Sequence, residues 1–244
     1  MLRTRALSKT FGAHCALDGL DLDIAPGEIF CMLGANGAGK TTTIKLLLGF
    51  LKPTSGQVLV DGIDVQADPA GARRRLLYLP EQVALYGELS GMENLRYFAG
   101  LAGVPDCTPQ RLRGWLEQAG VPAAAVERRA GGYSKGMRQK VAIALAIARS
   151  ARGLLLDEPT SGLDPAASAE FHRLLLAQRD AGAAILMATH DLFRAHEVAT
   201  TIGIMRDGRL LRSFRAQELS AREVEQLYLD EMSAAFDSQR IAST

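Results

Sequence analysis

Residues Gly34-Ala35-Asn36-Gly37-Ala38-Gly39-Lys40-Thr41 put three glycines, a lysine and a hydroxyl into eight consecutive positions. Glycines let successive backbone N–H groups turn toward one point, and a concavity of that kind takes phosphate oxygens. The spacing is G-x-x-x-x-G-K-[ST], so Lys40 is placed to reach β/γ-phosphates and the Thr41 hydroxyl to ligate Mg²⁺, with a helix N-terminus adding its positive end. At an average glycine usage of ~7%, a chance match in a chain of this length is on the order of 1%.

A second candidate is Leu154-Leu155-Leu156-Asp157-Glu158, an apolar run ending in two carboxylates. Beside a phosphate-binding loop, an Asp in this place holds Mg²⁺ through its water shell, and the following Glu stands where it can polarise an attacking water. Solvated carboxylates at strand ends are common, so the pair gains its meaning from the first motif. A third segment, Tyr133-Ser134-Lys135-Gly136-Met137-Arg138-Gln139, follows Gly131-Gly132 and precedes an apolar helix. Ser134 and the Gly136 backbone there could cap the helix or form a second anion site.

These residues need an α/β frame to hold them. Leu17, Leu20, Leu22 and Ile24 alternate as in a half-buried strand, and Glu28 to Leu33 is a buried strand leading into the glycine loop. Apolar residues then recur at helical spacing from Lys40 to Leu48 until Gly49 and Pro53 close the segment. Gln57 to Val60 and Leu76 to Leu79 are further short strands. Helical patterns begin near Ser90, at Thr108-Pro109 and before Val141 to Ala148, making residues 83 to 149 a helical insertion. The α/β pattern resumes with Gly153 to Leu156 as strand, Ala166 to Ala181 as helix and Ala184 to Thr189 as strand. Ile202 to Met205 and Arg209 to Phe214 flank Asp207-Gly208, a type I′ hairpin signal. A last helix opens at Ser220 with Glu223 completing a capping box, and the tail after Phe236 is expected to be loose.

Composition sets outer limits. The chain has 244 residues, 48% hydrophobic and 23% charged, with 28 Lys plus Arg against 27 Asp plus Glu, a net charge of +1. That excludes collagen-like, coiled-coil and disordered classes, and it leaves none of the basic excess that nucleic-acid binding usually shows. No run approaches the eighteen or so apolar residues of a membrane span, and Met1 to Thr10 has no apolar leader core, so a cytoplasmic location is expected. Cys15, Cys31 and Cys107 match neither a disulfide framework nor a metal site and read as small hydrophobes in or near a core.

Taken together, the three segments resemble the ATP-binding subunit of ABC transporters of the exporter-type branch, over about residues 1 to 230. The resemblance implies an α/β fold: a P-loop NTPase ABC-ATPase core with an N-terminal antiparallel β subdomain and an inserted α-helical subdomain. The ATPase domain would span 1–219 (core 1–82 and 150–219, helical subdomain 83–149), followed by a C-terminal helix and tail at 220–244. The family's signature loop, commonly Leu-Ser-Gly-Gly-Gln, falls on Tyr133 to Met137, keeping Ser134 and Gly136 but departing at Lys135 and Met137. Ser-Lys-Gly-Met is a variant familiar from exporter ATPases. Phe11 matches the aromatic residue that stacks on adenine, Asp164 in Ser161-Gly162-Leu163-Asp164 the dimer-contacting loop, and His190 the switch histidine on the γ-phosphate.

By the same resemblance ATP is bound by Phe11, Gly34, Asn36, Gly37, Ala38, Gly39, Lys40, Thr41, Thr42, Ser134 and Gly136, with Glu158, His190 and Lys40 catalytic and Mg²⁺ held by Thr41, Asp157 and Glu81. At Glu81 the family places a glutamine; Gln82 follows, and either side chain could take that role. His14, His172 and His196 read as structural. The implied assembly is a homodimer or paralogue dimer, peripheral on the inner face of the cell membrane, driving a separate integral membrane subunit for drugs, peptides, lipids or copper-enzyme maturation. An importer ATPase and a soluble non-transport ABC ATPase are the alternatives.

Overall fold

The computed structural model describes residues 1–242, with positions 234–242 described by backbone alone. Ten strands and nine α-helices lie along these described residues. The strands make two sheets. The first is antiparallel, built from β1 (Leu2–Phe11), β2 (His14–Ile24), β4 (Ser55–Val60) and β5 (Ile63–Asp64) in the order β2-β1-β4-β5. The second contains β3 (Ile29–Leu33), β6 (Leu76–Leu79), β7 (Gly153–Asp157), β8 (Ala184–Thr189), β9 (Thr201–Arg206) and β10 (Arg209–Arg215) in the order β10-β9-β3-β8-β7-β6. All neighbours in it run parallel except β10, which turns back on β9. Asp207 and Gly208 both take positive φ at that turn, as a type I′ hairpin requires.

The second sheet is covered on both faces, which is why its strands are apolar without alternation. Along β3, Phe30 and Met32 pack with Ile44, Leu46 and Leu47 of α1 (Lys40–Leu47), whereas Ile29, Cys31 and Leu33 belong to the cluster shared with the helical insertion. That insertion consists of α3 (Gly91–Leu101), α4 (Pro109–Gln118), α5 (Ala123–Val126) and α6 (Lys135–Ala148). Leu95, Leu112, Leu116, Val141 and Ile143 tie its helices to β7 and β8 in one core. Ser90 and Glu93 form a complete capping box on α3, Thr108 caps α4 with Pro109 at its first position, and Ser134 caps α6.

Five elements lie outside the sequence expectation, two of which, β5 and α5, are only two and four residues long. β1 carries positive φ at Ala6 and register shifts against both neighbours, so no simple period-two pattern marks it. The helices α2 (Pro69–Arg75) and α8 (Leu192–Val198) have seven residues each, too short for a clear helical period. The remaining helices are α7 (Pro165–Asp180), which begins one residue earlier than its apolar pattern predicts, and α9 (Ala221–Ala242). The capping box of Ser220 and Glu223 opens α9 as expected, but its backbone stays helical past Phe236, where a loose tail was expected; residues 243–244 lie outside the described residues. Cys31 is buried and Cys107 half-buried, while Cys15 is exposed, contrary to its reading as a core residue.

The parallel order puts the carboxyl ends of β3, β6, β7 and β8 side by side. In open α/β sheets, ligands bind outside the carboxyl ends of the strands. The loops leaving those ends carry Gly34–Gly39, Glu81, Glu158 and His190.

Candidate functional site

The loop after β3 turns sharply into α1. Gly39, at the N-cap of α1, has φ +102°, and a Cβ there would lie 2.7 Å from the Ala16 carbonyl oxygen. A Cβ on Gly34 would come within 2.5 Å of the Met205 carbonyl oxygen, so the strand end fits under β9 only without a side chain. The N–H groups at the start of α1 have no carbonyl partners in the preceding turn and are available to an anion.

Lys40 is 6% exposed, and its Nζ donates to the carbonyl oxygens of Gly34 at 2.6 Å and Ala35 at 3.1 Å. Glu158 Oε1 lies 3.8 Å from the same nitrogen. Burial lowers the Lys40 pKa, while the charges of Glu158 and Asp157 oppose that shift and keep the ammonium form in play.

Thr41 Oγ1 donates to Asp157 Oδ2 at 2.9 Å, joining the first turn of α1 to the end of β7. Burial raises the Asp157 pKa; Glu158 and Glu81 push it the same way, against the Thr41 hydrogen bond and Lys40. A carboxylate crowded by two others is relieved by a cation. Thr41, Asp157 and Glu81 supply only hard oxygen donors, the donor chemistry that suits Mg²⁺. Among the described residues no group of three His, Cys, Asp or Glu side chains forms a metal site by itself. Mg²⁺ would therefore draw the rest of its coordination from substrate phosphates and water.

Glu158 stands at positive φ, +45°, an uncommon backbone for a residue other than glycine. Its amide donates to the Ala188 carbonyl at 2.9 Å, Thr189 Oγ1 donates to its Oε2 at 3.1 Å, and His190 Nδ1 lies 2.9 Å from its Oε1. Ala188 thereby fixes the Glu158 backbone, while Thr189 at the end of β8 and His190 just after it hold the carboxylate.

Phe11, Asn36, Thr42, Glu81, Asp157 and Glu158 are among the residues lining one cleft of about 340 Å³ around the glycine loop. Phe11 ends β1 and is 46% exposed, and Lys9 Nζ lies 4.9 Å from its ring centre. Of the two candidates after β6, Glu81 lines this cleft, whereas Gln82 lines a neighbouring one with Tyr133, Lys135 and Arg138. His14 also lines the first cleft, although it reads as structural in the sequence.

Ser134, Gly136 and Asp164 do not line that cleft. Ser134 accepts the Met137 amide as the cap of α6, and Asp164 accepts the Ala167 amide at 2.9 Å as the cap of α7. His172 is buried, its Nδ1 3.1 Å from Glu197 Oε2, and His196 Nε2 lies 2.8 Å from the Leu219 carbonyl oxygen. Thr189 and Ser161 are site residues that sequence reasoning passed over. Ser161 Oγ donates to Glu81 Oε1 at 3.3 Å.

The family model described as "ABC transporter" matches residues 17–161. "ATP-binding cassette sub-family A member 7" of Rattus norvegicus is 38% identical over 85% of this chain, which spans 10% of that relative's length. "Nod factor export ATP-binding protein I" of Cupriavidus metallidurans is 33% identical over 98% of the chain and 80% of the relative. Among solved structures, a dimeric ATP-binding cassette in a post-hydrolysis state bound to ADP and Pi superposes with a TM-score of 0.78 at 25% identity, covering 88% of this chain and 99% of that one.

Proposed function

The chain belongs to the ABC transporter family as an ATP-binding ATPase domain, and on that premise we propose that two copies, or one copy and a paralogue, close around MgATP and drive a separate membrane subunit of an exporter. The observation that carries this reading is the convergence of the glycine loop, Asp157 and Glu158 on one cleft, with His190 bonded to Glu158.

In this reading Phe11 stacks on the base, and the loop amides and Lys40 hold the β- and γ-phosphates. Lys40 exchanges its hydrogen bonds to the Gly34 and Ala35 carbonyls for phosphate oxygens. Thr41 and Asp157, with Glu81 beside them, would hold Mg²⁺, which when bound would offset phosphate charge. Glu158 orients the attacking water and takes its proton, and His190 keeps the carboxylate aimed while facing the γ-phosphate. Ser134 and Gly136, away from their own cleft, meet the phosphate of the partner protomer, and Asp164 lies along the contact between the two.

The exporter role draws on the relative named for Nod factor export and on the Ser-Lys-Gly-Met segment. In this reading the membrane path lies in a partner subunit and the chain works at the membrane's inner face; no helix among the described residues is long and apolar enough to cross a membrane. Affinity capture of tagged chain from detergent-solubilised membranes tests this. Recovery of an integral membrane protein whose vesicles move a solute outward on ATP supports the proposal; inward movement, or a partnerless soluble ATPase, contradicts it.

A further inference from the structure

The inner face of α7 is Ser168, Phe171, His172 and Leu175, spaced as one buried stripe. Two of the four are polar, at 2% and 5% exposed, and neither Ser168 Oγ nor His172 Nε2 has a hydrogen-bond partner among the described residues. Unpaired polar atoms in a core cost stability, so a stripe built only to pack would be apolar throughout. His172 Nδ1 does have a contact, Glu197 Oε2 of α8 at 3.1 Å. A carboxylate beside Nδ1 assigns the proton to that nitrogen and leaves Nε2 as an acceptor. Long side chains on a helix lean toward its N-terminus, so the His172 ring reaches back over the turn that carries the Ser168 hydroxyl, a donor on that side. Burial lowers the His172 pKa and Arg194 acts the same way, against Glu197 and Asp191, which favours the neutral ring that this arrangement suits.

The helix on the other side of this contact is one that packing holds weakly. It has seven residues, of which two, Ala195 and Val198, are buried. Two polar side-chain contacts tie it to neighbouring elements: Glu197 to His172 on α7, and His196 to the Leu219 carbonyl before α9. Its N-cap, Asp191, stands directly after His190; the Asp191 amide donates to Thr189 Oγ1, and the same hydroxyl donates to Glu158. The His190 side chain is itself 60% exposed, so the seat of α8 decides where that ring meets Glu158.

We propose that His172 is a positioning residue for hydrolysis: through Glu197 it seats α8 on α7, and that seat holds His190 against Glu158. His172 does not line the cleft around the glycine loop, so its effect on turnover passes through α8. The inference rests on the ATPase reading above, because the aim of His190 matters to turnover only where Glu158 activates water.

A double-mutant cycle with steady-state ATPase tests it, together with NMR of histidine-labelled protein, in which only four imidazoles need assigning. His172→Phe keeps a flat ring in the core and removes the donor; Glu197→Ala removes the acceptor from a side chain that is 64% exposed, and serves if the ring variant folds poorly. Each should lower kcat about fivefold, the factor that one lost hydrogen bond is worth, while KM and binding of a fluorescent ATP analogue change less than about twofold. The two together should lose no more than the poorer single, because coupled residues are non-additive. His172→Asn, whose amide nitrogen stands near the place of Nδ1, should recover most of kcat. In nucleotide-free protein the His190 imidazole signal should shift in both single variants and return toward wild type with asparagine. A Glu197→Ala enzyme with unchanged kcat and an unmoved His190 signal, strictly additive losses, or equal losses in kcat and affinity would overturn the proposal. Wild-type protein with no ATPase would instead overturn the reading beneath it, and the His190 signal would still report whether the tie to α8 exists.

Discussion

His190 Nδ1 lies 2.9 Å from Glu158 Oε1, bridging 32 positions of sequence. The contact exists because β7 and β8 are adjacent and parallel, with Asp157 level with Ala188, so both strands release their loops at the same edge. Glu158 holds a positive φ that costs of order 1–3 kcal/mol, and the Ala188 carbonyl, Thr189 and His190 together keep it there. Backbone strain retained beside a carboxylate that Thr189 and His190 both hold fits the base role proposed for Glu158.

Thr189 should matter to turnover without touching substrate. Its buried hydroxyl donates to Glu158 and accepts the Asp191 amide at 3.1 Å. Thr189→Val keeps the shape but leaves that amide unpaired and the carboxylate with one guide fewer, so kcat should fall about tenfold with ATP affinity nearly unchanged. A lost hydrogen bond of this kind costs about 1 kcal/mol of stability, which thermal unfolding would register. Equal losses in kcat and affinity would show that Thr189 acts on the whole fold and not on Glu158.

Asp157→Asn should separate stability from activity. In the unfolded chain this carboxyl ionises near its ordinary value of 3.8, while in the folded chain burial and its acidic neighbours hold the proton to higher pH. The folded state binds the proton more tightly, so stability falls as pH rises from 3.8 through the folded pKa, and the penalty is full above it. The asparagine variant without nucleotide should therefore melt higher than wild type at neutral pH, by a few degrees at most for a solvent-screened group, and this difference should shrink toward pH 3.8. Mg²⁺-dependent turnover should be lost. A variant less stable than wild type at neutral pH would contradict the assignment.

Gly34→Ala tests the loop's close approach to β9. The new methyl would sit 2.5 Å from a backbone oxygen, which cannot swing aside as a side chain could. Overpacking of that kind costs typically ~1–3 kcal/mol, and the displaced loop should also lose ATP affinity. Calorimetric unfolding together with nucleotide titration measures both effects; a variant that binds ATP like wild type would show the loop to be tolerant.

Much of this was legible in the sequence because its signals are local. Leu76–Leu79 and Ala184–Thr189 are continuous apolar runs with clear stops, and the structure gives them the same bounds. The glycine loop carries its chemistry in eight adjacent residues and needs only a strand before it and a helix after. What stayed hidden depends on long-range pairing. β1 is broken by the kink at Ala6, and α2 and α8 are too short to show a period. Thr189 reads as an ordinary strand residue until β7 lies beside it, and the choice of Glu81 over Gln82 for the cleft is a matter of which way the chain turns after β6. Ser161 has no motif signal as a hub, since its partners stand 80 positions away at Glu81 and 26 away at Lys135.

The most direct test of the account is Glu158→Gln, which keeps the side chain's shape but removes the carboxylate proposed to take the proton. Steady-state ATPase should drop by about 10²-fold or more, as loss of a general base entails, while ATP binding persists. With MgATP the variant should elute at the mass of a dimer on size exclusion with light scattering, and without nucleotide at that of a monomer. Retained turnover together with no ATP-dependent dimer would contradict both the role of Glu158 and the closed MgATP sandwich.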